Sequence, residues 1–367
     1  MNNMNNIKNK ARQWRMKYVS SETKRFTFNK KERKRYTFNA LHLLSLENET
    51  QLCRMLDISL DALSELIHNP VYQTFEIPKK KGGKRTIDAP EDVLKDIQRK
   101  LNYFLNAYYL MIKPEAVFGF VIQPHELGKI CAIAENAKPH VGKRQVLNID
   151  IKDFFPSIKA KQIKSLFQSD LFQFDEHLAS LLALLTTYKG KLPIGAPSSP
   201  AIANFICYQL DKELQEFCKE NDLSFSRYAD DLTFSSDTKI HSDTILDIVS
   251  MINKHHFSIN EKKFRIQSAN KKQTVTGLVV NAKVNIDRKF IRKLRAIMHD
   301  IRLNGVKIAA QHHFNFKQEP DEKLLAYFIH RLEGLINFVG QVRGKHDMMY
   351  ARFKNEFDEI FTTSLNV

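Results

Sequence analysis

Apolar and polar residues alternate over 223–226 and again over 232–235, and a period of two predicts a pair of short strands. Between them, Tyr228-Ala229-Asp230-Asp231 supplies the tight connection of a hairpin. Upstream, Gln145-Val146-Leu147-Asn148-Ile149-Asp150 is a mostly apolar run that ends on a carboxylate, and Ile151-Lys152-Asp153-Phe154-Phe155-Pro156 follows at once. The Gly/Pro/Ser-rich stretch 192–200 leads into Ile202, Ile206, Leu210, Leu214 and Phe217, spaced for one helix face. Ser199 suits its N-cap and Pro200 its first helical position. Residues 41–67 also read as helical, with Ser59 capping a second helix whose Leu60, Leu63, Leu66 and Ile67 face inward. Beyond Asn281 the period becomes helical. Phe290, Leu294, Ile297, Met298 and Ile301 form one apolar stripe, and Leu325, Phe328, Leu332, Leu335, Ile336 and Val339 a second. The segment 304–320, with His312-His313, reads as a loop without metal-ligand partners.

Charge narrows the class. The 367 residues carry a formal net charge of +16 and a pI near 9.5, which points to a polyanionic partner. Residues 1–38 hold twelve Lys/Arg against Glu22 and Glu32, interleaved with Trp14, Tyr18, Phe26, Phe28, Tyr36 and Phe38. Phosphates and unstacked bases of RNA would engage both kinds of side chain, and a basic tail with only non-specific affinity is the plainer alternative. No apolar run approaches the ~18 residues of a membrane span, and the Asn/Lys-rich start has no secretory apolar core. Cys53, Cys131, Cys207 and Cys218 lie far apart and form no Cys-x-x-Cys pair, as expected for reduced thiols. These features lead to the expectation of a cytoplasmic, nucleic-acid-handling protein with no membrane partner.

The carboxylates supply the chemistry. Two adjacent aspartates at a turn repel each other unless a cation lies between them. Hard divalent ions such as Mg²⁺ take such all-oxygen sites, with one or two protein carboxylates plus substrate phosphates. A carboxylate strand, a Gly/Pro/Ser loop into a helix, and an Asp-Asp hairpin, in that order, resemble motifs A, B and C of the reverse transcriptase palm. Within that superfamily the chain is most similar to bacterial retron reverse transcriptases. Asn136-Ala137-Lys138-Pro139-His140 resembles their NAxxH element, and Val275-Thr276-Gly277 their VTG element. Ile77-Pro78-Lys79 through Arg85-Thr86-Ile87 resembles the fingers hairpin, and Phe118-Gly119-Phe120 the second fingers motif. The likeness runs over about 41–342.

The resemblance implies an α+β right-hand polymerase. Residues 1–40 would be a basic extension, 41–281 the fingers and palm (an antiparallel sheet with helices), and 282–367 a helical thumb. Asp150, Asp230 and Asp231 would be catalytic and would bind two Mg²⁺ ions, with Mn²⁺ a substitute and the Ile151 carbonyl an added ligand. Asp153 is expected to be structural. Lys79 and Arg85, among the five cations at the hairpin tip, would meet the triphosphate of a deoxynucleoside triphosphate. Phe155 would be the steric gate against a ribose 2′-hydroxyl, and Ile194-Gly195 would line the nucleotide site. Asn136 and His140 would contact RNA or neighbouring palm segments. The thumb, with Arg288, Arg292 and Arg295, would grip nucleic-acid phosphates.

By the same resemblance the chain would copy a cognate structured non-coding RNA into RNA-linked multicopy single-stranded DNA, from an internal guanosine 2′-hydroxyl. An effector protein and a role in anti-phage defence would follow. One residue departs from the pattern: Ile194 stands where most reverse transcriptases have Gln. Diversity-generating enzymes, which copy inaccurately, carry a similar change, so lowered fidelity is expected. Restoring the hydrogen-bonding side chain with Ile194→Gln should reduce the error rate in sequenced products. An unchanged error spectrum would count against this. The alternatives are a diversity-generating or other defence-associated reverse transcriptase, and a module that sequesters RNA or an effector with incidental polymerase activity. The intact aspartates weigh against the second, since binding needs no clustered carboxylates in a basic chain.

Overall fold

The structure, a computed structural model, describes residues 30–79, 82–122, 132–314 and 320–362. Most of the basic N-terminal stretch therefore lies outside the described residues, as do Lys80, Lys81 and Cys131. The elements are α1 (Lys30–Leu44), α2 (Glu49–Leu56), α3 (Leu60–His68), β1 (Tyr72–Pro78), β2 (Lys84–Pro90), α4 (Asp92–Ile112), α5 (Ala132–Ala137) and β3 (Gln145–Asp150). After these come α6 (Phe154–Ser157), α7 (Ala160–Gln168), α8 (Glu176–Thr186), α9 (Ser199–Glu220), β4 (Ser224–Tyr228), β5 (Asp231–Ser236) and α10 (Ser242–Lys254). The chain continues with β6 (Arg265–Ser268), β7 (Thr274–Val275), β8 (Leu278–Val279), α11 (Arg288–Phe314), α12 (Glu322–Arg343) and α13 (Met348–Thr362).

Two compact units emerge: Met1–Gly128 with Asn148–Phe234 and Ile240–Arg265, and Lys129–Leu147 with Ser235–Lys239 and Ile266–Val367. Helix α1 runs across 40/41, and the last break between the two units falls at 265/266.

In the first unit, β1 and β2 form an antiparallel hairpin with Ile77 opposite Arg85 and Pro78 opposite Lys84. Gly82 (φ 90°) and Gly83 (φ 78°) turn it, in a region that glycine occupies without a Cβ penalty. In the unit's larger sheet β4, β5 and β3 lie side by side in that order. Because β3 and β5 are neighbours, the end of the carboxylate strand and the start of the strand after the Asp-Asp turn lie side by side. Ser59 caps α3 as expected, accepting from the Ala62 N–H at 3.2 Å. Leu63 and Ile67 are buried while Leu60 is 44% exposed, a correction to the expected inward face. For α9, the N-cap is Ser198 rather than Ser199, whose hydroxyl instead donates to the Pro193 carbonyl at 2.7 Å.

The second unit is organised around the two predicted stripes, with Ile291 buried where Phe290 was expected and Phe290 only half-buried. Ile291, Leu294, Ile297, Met298 and Ile301 of α11 pack in one cluster with Phe328, Leu332, Ile336 and Val339 of α12 and with Phe353 and Phe357 of α13. The segment 304–314 is not a loop: α11 continues past a break at Gly305 (φ 80°, ψ 168°) and buries Ala309 and Ala310. The break resembles a helix end in sequence, and the two alanines are too small to make the stripe evident. His312 and His313 both reach the Asp300 carboxylate, at 2.9 and 3.0 Å. Val275-Thr276-Gly277 forms the corner of the β7–β8 hairpin, with Thr276 and Gly277 both at positive φ, as a two-residue primed turn requires.

No helix among the described residues is long and apolar enough to cross a membrane.

Candidate active site

Three aspartates from separate stretches of sequence meet at one end of the sheet. Asp150 closes β3, 5% exposed. Ala229 (φ 59°) turns the chain between β4 and β5, leaving Asp230 in the turn and Asp231 at the first position of β5. The Ile151 N–H donates to the Asp230 carbonyl at 2.9 Å, which ties the two motifs together through backbone. The charges of Asp230 and Asp150 both act on Asp231. Burial, then the charge of Asp150, raises Asp230 above the ordinary carboxylate value. Asp231 keeps its outer edge open to solvent, yet desolvation and repulsion by Asp230 and Asp150 push it up to about 6.

Positive charge already answers this repulsion in part. Lys263 Nζ lies 2.6 Å from Asp150 Oδ2, and the Asn260 side chain donates to Oδ1 at 3.3 Å. The Asn260 N–H also donates to the Asp150 carbonyl at 2.7 Å. Among the described residues no group of three or more His, Cys, Asp or Glu is disposed to hold a metal ion as the side chains stand. The donor chemistry nonetheless fits a hard divalent cation. All the donors are carboxylate oxygens, and two of them have raised proton affinity, which a cation would relieve. The remaining expected ligand, Ile151, is 1% exposed and bridges to Ile259. Asp153 stands at the N-cap of α6 in a left-handed conformation (φ 46°), without a side-chain cap bond.

The nucleotide-side candidates occupy the same unit. Lys79 and Arg85 are exposed on the hairpin, and the charge of Arg85 reaches Asp230. The Asp88 N–H of β2 donates to the Ile194 carbonyl at 2.8 Å. Gly195 (φ 119°) allows this approach, since a Cβ there would lie 2.8 Å from the Ile87 side chain. Phe154 is buried and Phe155 half-buried, so of the adjacent rings Phe155 is the one with an open face.

A buried network under the Asp-Asp turn was not foreseen. Arg227 Nε and Nη2 each donate to the Asp211 carboxylate at 2.6 Å, with both side chains 0% exposed. The Arg227 Nη1 donates to Asn204 Oδ1 and to the Ala229 carbonyl, both at 3.1 Å. Asn204 Nδ2 in turn donates to the carbonyls of Gly119 and Phe120, at 3.1 and 3.3 Å. Burial works against the guanidinium charge, and Asp211 more than offsets it, holding Arg227 protonated. Two sequence signals were available. Asp211 falls four residues after Cys207 and three before Leu214, on the buried face of α9, and Arg227 shares the inward side of β4 with Phe225. Lys263 and Asn260 had no comparable signal in the polar run around them.

Residues 77–281, more than half of the chain, match the reverse transcriptase (RNA-dependent DNA polymerase) family. The retron Ec86 reverse transcriptase of Escherichia coli is 33% identical over 71% of this chain and 80% of its own length. This chain belongs to the retron-type reverse transcriptases. The retron Mx65 enzyme of Myxococcus xanthus is 32% identical over 68% of the chain, and the chain spans 62% of that relative's length. The retron Ec73 enzyme of Escherichia coli is 36% identical over 59% of the chain and 71% of its own length. A telomerase of Candida albicans, solved with a fragment of telomeric RNA, superposes at a TM-score of 0.45 with 10% identity over 81% of this chain and 64% of that one. The family match over 77–281 and the helix-rich chain with antiparallel hairpins bear out the expected right-hand polymerase fold.

Of the two expectations for the NAxxH element, contact with RNA or with neighbouring palm segments, the burial of its side chains fits the second. Asn136 and His140 are each 0% exposed, so neither presents a surface to RNA. His140 Nδ1 pairs with the Ser235 hydroxyl at 2.7 Å, and burial, then Lys143, lowers its pKa to about 3. It is a neutral structural residue of the second unit. Arg288, Arg292 and Arg295, spaced i, i+4 and i+7 on α11, are all exposed opposite the apolar stripe.

Proposed function

We propose that this reverse transcriptase copies its own structured non-coding RNA into RNA-linked multicopy single-stranded DNA, with deoxynucleoside triphosphates as substrates. The meeting of Asp150, Asp230 and Asp231 at one sheet end carries the reading. A primer hydroxyl oxygen attacks the α-phosphorus, an O–P bond forms, the α–β phosphoanhydride breaks, and pyrophosphate leaves while the hydroxyl proton passes to solvent. Asp150, Asp230 and Asp231, with the Ile151 carbonyl, would hold two Mg²⁺ ions, for which Mn²⁺ could substitute. Bound there, they would activate the hydroxyl and neutralise charge on the departing phosphates.

The protein's own groups orient the substrates. Lys79 and Arg85 offer cations to the triphosphate, Phe155 walls off the sugar's 2′ position, and Ile194-Gly195 lines the base side. The exposed arginines of α11 suit nucleic-acid phosphates, whose neutralisation releases counterions and makes binding salt-dependent. Priming from an internal guanosine 2′-hydroxyl would leave a branched RNA–DNA product. A cytoplasmic setting, an effector protein as partner and a role in anti-phage defence complete the reading, supported only by likeness to the retron family.

The test is expression with the flanking genomic DNA, followed by isolation of short RNA-linked single-stranded DNA. The branched product should form, and should vanish in the Asp230→Asn, Asp231→Asn double variant. DNA synthesis on a generic primed RNA without any branched product would keep the polymerase and sink the cognate-RNA reading.

A further inference from the structure

We propose that Phe120 is a positioning residue for sugar selection, acting through Phe155. The proposal rests on the reading of Phe155 as the wall against the 2′-hydroxyl and adds to it a second residue, from a different stretch of chain.

A flat ring excludes a hydroxyl only while it stays in place. Swinging about its side-chain torsions would open space of about the size the hydroxyl needs, so the wall needs support on both faces. Phe154 supports one side: its ring centroid is 5.3 Å from that of Phe155, at 55°. Phe154 is itself anchored, 5% exposed and 5.9 Å from the Phe257 ring. On another side stands Phe120, with centroids 5.7 Å apart and planes inclined at 44°. Both separations fall in the range of favourable tilted aromatic pairs.

The backbone at Phe120 shows that its placement is imposed. Its φ of 57° lies in the left-handed region, where a bulky non-glycine residue is an outlier that persists only when its surroundings over-determine it. They do so here. Asn204, wholly buried, donates to the carbonyls on both sides of the strained residue, Gly119 and Phe120. Asn204 is held in turn by Arg227. Phe118 adds a backbone bond, its N–H donating to the Arg227 carbonyl at 2.9 Å. The chain accepts an unfavourable conformation at a residue whose ring reaches Phe155. The same buried side chains that brace the catalytic turn thus aim this ring.

The experiment is single-nucleotide incorporation on a primed RNA template, comparing kcat/KM for a deoxynucleotide with that for the matching ribonucleotide. Wild type, Phe120→Ala, Phe120→Leu, Phe120→Tyr, Phe155→Val and the Phe120→Ala, Phe155→Val pair are compared. Phe120→Ala should raise the ribo-to-deoxy ratio by roughly three- to tenfold, as loss of one aromatic contact implies, with deoxynucleotide kcat/KM within about twofold. Phe120→Tyr keeps the ring and should retain the wild-type ratio. In a Phe155→Val background, Phe120→Ala should change the ratio no further. If Phe120→Ala fails to fold, Phe120→Leu, which keeps bulk without a plane, carries the same comparison. A raised ratio in Phe155→Val beside an unchanged ratio in the Phe120 variants would overturn the role of Phe120 and leave the gate standing. An unchanged ratio in Phe155→Val would remove the gate reading, and this inference with it.

Discussion

Gly119→Ala should abolish most DNA synthesis while leaving the protein folded. A Cβ at Gly119 would lie 2.8 Å from the Tyr228 carbonyl carbon and closer still to the Ala229 nitrogen. Both are backbone atoms, so no side-chain rotation can relieve the clash. The strap around Gly119 is pinned by bonds from Phe118 N–H to the Arg227 carbonyl and from Arg227 N–H to the Ala116 carbonyl, at 2.9 and 2.8 Å. It can retreat little without breaking them, so the displacement falls on the Tyr228-Ala229-Asp230-Asp231 turn. A shift of about an ångström at a reacting centre costs on the order of 100-fold in rate. The φ of Gly119 lies outside the left-handed region, so alanine meets no backbone penalty of its own and the effect is one of approach. Single-turnover incorporation should fall by roughly 100-fold or more, with a circular dichroism spectrum like that of the wild type. Near-normal rates would mean that the strap yields instead of the turn.

Arg227→Met should cost the first unit about 3–5 kcal/mol, because it leaves the Asp211 carboxylate buried without its partner. That is a large fraction of the stability of an ordinary domain. Replacing both partners, Arg227→Met with Asp211→Leu, should recover much of the loss, since a buried pair is often replaceable by apolar side chains of similar volume. Urea unfolding of the three proteins measures both effects. The double variant should regain stability but not full activity, because the Ala229 carbonyl and Asn204 still lack the Arg227 donor. Equal activity and stability in the double variant and the wild type would show that the network serves folding alone.

Some of this architecture can be read along the chain because it is written in local periods. The strands around the Asp-Asp turn, the apolar run into Asp150 and the stripes of α11 and α12 all follow from spacing. A half-buried element must place its apolar residues at the repeat of its own geometry. Composition likewise points to a polyanionic partner. The break at Gly305 and the buried Ala309 and Ala310 escaped such reading because small residues carry little pattern. The choice between RNA contact and palm contact for Asn136 and His140 stayed open for a different cause: polar residues in a short motif look available for binding until the packing around them is known. Their full burial is a property of what surrounds them.

The identity and order of the carboxylates, the period of the elements that carry them and the excess of positive charge belong to the sequence alone. Each is a local or additive property, complete in a window of a few residues or in a sum. Only the tertiary structure could decide that Lys263 pairs with Asp150, that Gly119 rests on the backbone of the Asp-Asp turn, that Asp211 and Arg227 bury each other's charge, and that Phe120 leans on Phe155. These contacts join residues from 16 to 113 positions apart. Their existence depends on distances of a few ångströms that no local preference encodes.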